Sequence, residues 1–266
     1  MQSDVNSLFT TDGDSVVATE LSRGPWDPHA CHGGPVSALL VGAAERADDG
    51  TGPWQVARVT VELLRPVPVL APLRVSVGIE RPGRMVSLVA SSVATEQGVE
   101  VARARVLRIR RADVALPDHV TLGPPFGEPG VGARSVAGWM SDDIAFGRNA
   151  VELAFAGGAF DAPGPVQMWC RLVVPVFAGE EPTGAQRVVC AADFSNGVAS
   201  ELDAQEMMFI NPDLTAHLLR PPVGEWIGID ARCHYGTEGA GVAEAALYDA
   251  AGRLGRSAQS LLLVAR

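Results

Sequence analysis

Hydrophobic spacing changes period several times along the chain and divides it into elements. Residues 6 to 22 alternate in two short runs around the turn Asp12–Asp14, which predicts a hairpin. From Pro35 to about Ala47 the period lengthens. Val36, Ala38, Leu39, Leu40, Val41, Ala43 and Ala44 cover most of a helical wheel, and a helix that is apolar nearly all round is a buried one. Gly34 as cap and Pro35 as first helical residue predict its start. Glu45, Arg46, Asp48 and Asp49 return it to water. Four valine-rich runs with strand alternation follow: Gln55–Leu64, Leu73–Arg81, Met85–Glu96 and Glu100–Arg111, broken by RPVPVLAP, RPGR and EQG. One buried helix followed by a four-strand antiparallel meander predicts an α+β unit.

Residues 112 to 165 are rich in proline and glycine and weakly patterned, as befits a connector. Strands are predicted next at Val166–Phe177 and Arg187–Ala192. Asp193–Ala204 reads as a shorter second helix. Further strands follow at about Leu214–Leu219, Trp226–Tyr235, Gly241–Asp249 and Arg256–Val264.

The two series repeat one another. LLRP stands at Leu63–Pro66 and again at Leu218–Pro221, an offset of 155 residues (218 − 63). Glu96–Arg105 pairs with Ala250–Gln259 at an offset of 154 (250 − 96). The same turn and strand order at nearly the same offset predicts two copies of one helix-plus-sheet unit. The organisation is an N-terminal repeat over 1–111, a connector over 112–150 and a C-terminal repeat over 151–266. Each buried helix needs a sheet wrapped around it, and two such sheets can join edge to edge and hide their open edges.

Composition narrows the function. A chain of 266 residues with 47% hydrophobic content can bury a full core, and its net charge of −10 argues against non-specific nucleic-acid binding. Its apolar runs are too short to span a bilayer, and the first residues carry no basic or apolar leader. The expectation is a soluble cytoplasmic protein with no membrane insertion. The chain has no lysine, so Schiff-base chemistry is excluded. Cys31, Cys170, Cys190 and Cys233 form no C-x-x-C pair and read as free thiols.

The repeat and its motifs resemble the double-hotdog acyl-CoA thioesterases, notably the bacterial acyl-CoA thioesterase II family. The matching stretches are the Gly33–Gly34 helix start, VELLRPV (61–67), RPGRMVSLV (81–89), VELAF (151–155), QMWCRL (167–172), AADFSNGVASEL (191–202), NPDLTAHLLRPPVGEW (211–226) and DAAGRLGRSAQSLLL (249–263). The resemblance implies a double hotdog, two tandem helix-wrapped antiparallel sheets joined into one. It implies hydrolysis of acyl-CoA by an activated water, with no metal and no other cofactor. It also implies an Asp–Thr–Gln set that holds the water, all from the second half. Asp213 matches the aspartate, as general base or orienter, and Gln259 the glutamine. An ungapped alignment puts His234 at the threonine, with Thr237 three residues later. The N-terminal amides of the first helix would face the thioester carbonyl, with Gly33 and Gly34 allowing close approach beside His32.

Other readings stay open. The cluster His29, Cys31 and His32 could be a metal site or a nucleophile pair, but it lacks the accompanying motifs of either and reads better as a loop entering the helix, with Trp26 packed over it. His217 shares a strand face with Asp213 and Thr215 and reads as a sheet residue. Asp193 suits a helix N-cap, and Glu62 reads as structural. Arg65, Arg81, Arg84 and Arg220 are given no role with the coenzyme. A non-catalytic acyl-thioester binder is the alternative function, and an enoyl-thioester hydratase a more distant one. Pairing of copies through sheet faces into a homo-oligomer is left open.

Overall fold

The computed structural model describes residues 6–48, 50–134 and 144–266. What was read for the chain's first residues, for Asp49 and for 135–143 of the connector lies outside the described residues.

The N-terminal repeat contains β1 (Phe9–Asp12), β2 (Ser15–Ala18), α1 (Gly33–Arg46), β3 (Trp54–Leu63), β4 (Pro72–Arg81), β5 (Val86–Thr95) and β6 (Glu100–Arg110). The second contains β7 (Val151–Gly157), β8 (Val166–Leu172), α2 (Gly184–Ala192), α3 (Ser195–Val198), β9 (Met207–Ile210), β10 (Asp213–Leu218), β11 (Trp226–Tyr235), β12 (Ala240–Asp249) and β13 (Gly252–Ala265). These strands form one antiparallel sheet in the order β1-β2-β4-β5-β6-β3-β10-β13-β12-β11-β8-β7, with β9 beside the end of β13.

That order is a palindrome. It matches β3 with β10, β6 with β13, β5 with β12, β4 with β11 and the outer pair β2-β1 with β8-β7. At its centre Thr60 stands opposite Thr215 in the β3–β10 ladder, with hydroxyl oxygens 3.3 Å apart. The two threonines are 155 residues apart, which is the offset of the LLRP repeat. Equivalent residues can meet only on a two-fold axis, so a local two-fold runs between them.

The helices lie together on one face of the sheet. Residues Gly34–Ala44 of α1 are all buried. Leu40 packs in the core, and its carbonyl accepts a 2.9 Å bond from the Ser91 hydroxyl of β5. Helix α2 runs against α1. A Cβ on Gly34 would lie 3.3 Å from the Cys190 backbone, so a bare α-carbon is what lets the helices approach. The outer edges are covered too. Leu8 and Phe9 donate to the carbonyls of Pro175 and Val176, and Phe155 of β7 exchanges two bonds with Ala133. Pairing of this kind removes the free edges on which sheets aggregate.

Four expectations change. The first repeat is not a simple meander, because β3 pairs with β6 rather than β4. The connection over 64–71 is too long for a hairpin. Its Val67 and Val69 instead bond to Cys31 and His29 ahead of α1. Helix α1 starts two residues early, with His32 as N-cap and Pro35 inside the first turn. Residues 187–192 are helix, not strand. Thr183 and Gln186 form a reciprocal capping box that commits the following β-branched run to α2. Asp193 accordingly closes α2 rather than opening a helix over 193–204, and only the short α3 follows.

Candidate active site

A cavity of about 440 Å³ opens where the two repeats meet at the N-terminus of α1. Its walls come from the loop 23–33, from 63–67, from 193–197 and from 208–212. Trp26, Val36, Leu63, Val67, Phe194, Met208 and Ile210 make it largely apolar. Trp26 meets Phe209 edge-on at 5.1 Å, which closes one side as the sequence suggested. Arg23, Asp27 and Arg65 bring charge to the wall.

The polar end of the cavity is built on Asp193, 5% exposed. Its Oδ1 accepts from Asn211 Nδ2 at 2.8 Å and from Gln259 Nε2 at 3.1 Å. Its Oδ2 lies 2.7 Å from His32 Nδ1. A carboxylate at the C-terminus of α2 is badly placed with respect to that helix's own dipole. Three donors and the positive end of the antiparallel α1 compensate.

Each partner is placed by a local feature. The strand line that pairs with β13 is interrupted at Asn211–Pro212, between β9 and β10. Proline has no N–H to continue a ladder. The break turns the Asn211 amide inward. Gln259 sits on the helix-facing side of β13, 1% exposed. Its Oε1 accepts from the Asn196 N–H at 3.2 Å, which ties β13 to α3. Asn196 Oδ1 is itself buried without a partner, although its Nδ2 is bonded to the Phe209 carbonyl.

The sequence-predicted residues divide. His32 and Gly33 line this cavity, and Gln259 is joined to it from behind, through Asp193. Gly34 lies one residue deeper, against Phe146 and Cys190. Asp213 does not join them. It stands level with Ser260 and accepts that residue's N–H at 2.6 Å, standing in for the ladder bond lost at the break. Ser260 and Gln259 point to opposite faces, so Asp213 is on the far side of the sheet from the cavity. His234 is 61% exposed and pairs with Glu244 at 3.5 Å. Thr237 is exposed in the β11–β12 turn. His217 also points to the outer face, where partial burial and the cations of Arg256 and Arg58 push its pKa down. Asp193 and Asn211 are the site residues that sequence reasoning missed. The capping box over Thr183–Gln186 was the available signal: it starts α2 at Gly184, so that Asp193 falls at the helix's end rather than its beginning.

Comparison with known proteins agrees with this architecture. Residues 22–109 match the acyl-CoA thioesterase N-terminal domain and residues 117–263 the acyl-CoA thioesterase C-terminal domain. No curated protein matches the chain. Among solved structures, a thioesterase II candidate from Thermobifida fusca superposes with a TM-score of 0.74 at 17% identity, over 98% of this chain and 97% of that one. A hot dog fold protein of unknown function from Alicyclobacillus acidocaldarius gives 0.73 at 16%, over 99% and 98%. The acyl-CoA thioesterase II TesB2 of Mycobacterium marinum gives 0.63 at 14%, over 93% and 96%. The two helix-bearing repeats in one sheet are a double hotdog. No helix among the described residues is long and apolar enough to cross a membrane.

Proposed function

The chain belongs to the acyl-CoA thioesterase family, and from that premise we propose that the cavity at the N-terminus of α1 is where it hydrolyses an acyl-CoA, at the polar end that Asp193 builds with Asn211 beside it and Gln259 behind it. The observation that carries this reading is their convergence. One carboxylate accepts from two side-chain amides at 2.8 and 3.1 Å, at the polar end of a largely apolar cavity. The family resemblance calls for Asp, Thr and Gln. Here Asp193 takes the aspartate's part in place of Asp213, Gln259 keeps the glutamine's, and Asn211 stands where a threonine was sought at His234 or Thr237.

The acyl chain lies along the apolar wall. Its thioester carbonyl points at the first turn of α1, where backbone N–H groups have no partner within the helix. Those donors and the helix dipole stabilise the oxyanion as it forms. Gly33, at the cavity wall, lets the carbonyl come close. The water loses a proton, its oxygen adds to the carbonyl carbon, and the intermediate collapses with loss of the coenzyme A thiolate.

Thiol release from a panel of acyl-CoAs, short to long, tests this with wild type and Asp193→Ala side by side. Turnover by the wild type that falls at least ~100-fold in the variant is expected, because disabling the activation of the nucleophile costs about 10²–10⁴. Acyl-CoA binding without turnover at any chain length would instead favour a non-catalytic thioester-binding protein.

A further inference from the structure

We propose that the group that takes the water's proton is the imidazole of His32, through Nε2, with Asp193 as its orienting partner. The inference rests on the thioesterase reading above and assigns one step within it.

The ring is fixed on three sides. Its Nδ1 lies 2.7 Å from Asp193 Oδ2. Phe146 and Phe194 flank it, with ring centroids at 5.0 and 5.1 Å. The side chain is 13% exposed and lines the cavity. Nδ1 also lies 3.1 Å from the Gly34 N–H, and the two contacts compete. A ring nitrogen has one in-plane site, so it either donates to the carboxylate or accepts from the amide. The shorter, charge-assisted contact wins. Nδ1 therefore carries the proton, and Nε2 carries the lone pair. The Gly34 N–H returns to the unsatisfied donors of the first helical turn.

Nε2 has no hydrogen-bond partner among the described residues. Asp193 is differently placed. It already accepts from Asn211, Gln259 and His32, so three of a carboxylate's roughly four lone-pair sites are taken. The other titratable or charged groups around the cavity are Arg23, Asp27, Cys31 and Arg65. Among the described residues, Asp193 is the charged group paired with the ring.

The step balances. A water proton passes to Nε2 as the water oxygen bonds to the carbonyl carbon. The imidazolium is stabilised by the Asp193 carboxylate on its other nitrogen. When the carbon–sulfur bond breaks, the thiolate takes the proton back from Nε2, leaving free acid, thiol and neutral His32.

His32→Asn separates a base from a structural cap. Asparagine is a good N-cap, and its amide can still donate to Asp193. It has no counterpart of Nε2. The expected result is a kcat at least ~100-fold below wild type, KM within about threefold and an unchanged melting temperature. A variant that keeps kcat within threefold overturns the assignment and moves the base to Asp193. Wild type that hydrolyses no acyl-CoA defeats the thioesterase reading itself, which is a separate outcome.

Discussion

A methyl group at Gly33 would sit 2.8 and 2.9 Å from the two oxygens of Asp193 and 3.0 Å from Leu63 Cδ1. Those distances are below ordinary contact, and none of the three neighbours is a loose surface group. The backbone there is helical, so alanine meets no conformational penalty and even gains helix propensity. What it displaces is the carboxylate around which the site is assembled. Gly33→Ala is therefore expected to keep its circular-dichroism spectrum and lose kcat by about 100-fold, the cost typical of an ångström's misplacement of a reacting group. Steady-state thiol release checks this. Activity within threefold of wild type would mean that the position of Asp193 does not matter to the reaction.

At the scale of the element, the LLRP motif shows what a repeated sequence can conserve. In the second copy Arg220 reaches Asp249 at the β12–β13 turn, with bonds of 2.5 and 2.7 Å. Asp249 is fully buried and also accepts the N–H groups of Val223 and Ala251 at 2.8 Å. Burial works to raise its pKa, but the Arg220 guanidinium and the two backbone donors outweigh it and hold the carboxyl below its ordinary value of 3.8. A depressed carboxylate stabilises the fold fully above that ordinary value and loses its contribution as pH falls through the lower, folded-state one. Asp249→Asn should cost about 3 kcal/mol at pH 7, towards the low end for a broken buried pair because Arg220 keeps 21% exposure. The difference from wild type should shrink as pH falls below 3.8, as read from denaturant unfolding at pH 7 and in acid. Strands of this kind were legible because valine alternation is a strong period-two signal, and β11 falls on Trp226–Tyr235 as expected. Helix α2 was not, because Val188, Val189 and Cys190 favour strands locally and only the box at Thr183–Gln186 reveals the helix. The site suffered for it. With α2 read as a strand, Asp193 is expected only as a cap; Asp213 is expected from the family motif, and its alternation with buried Leu214 and Ala216 puts it on the outer face.

The proposed site occupies one of the two positions that the two-fold would allow. Ladder registers decide this. Thr60 faces Arg105 in β3–β6, and Thr215 faces Ala258 in β10–β13. Gln259 therefore corresponds to Val106, which is fully buried and can hold no water. The surviving site needs both halves, since His32 and Gly33 come from the first repeat and Asp193, Asn211 and Gln259 from the second. Neither half is self-sufficient. Separation would expose the α1–α2 interface and leave β3 and β10 as open edges. The connector, by contrast, is exposed throughout 111–120, and a break there cuts no packed contact. Residues 1–116 and 117–266 produced together should associate and release thiol from acyl-CoA, while either piece alone should be aggregated or unfolded and inactive. Size-exclusion chromatography with activity measured across the peak checks this. A soluble, folded 117–266 fragment with wild-type turnover would show that the N-terminus of α1, and with it His32, plays no part in the chemistry.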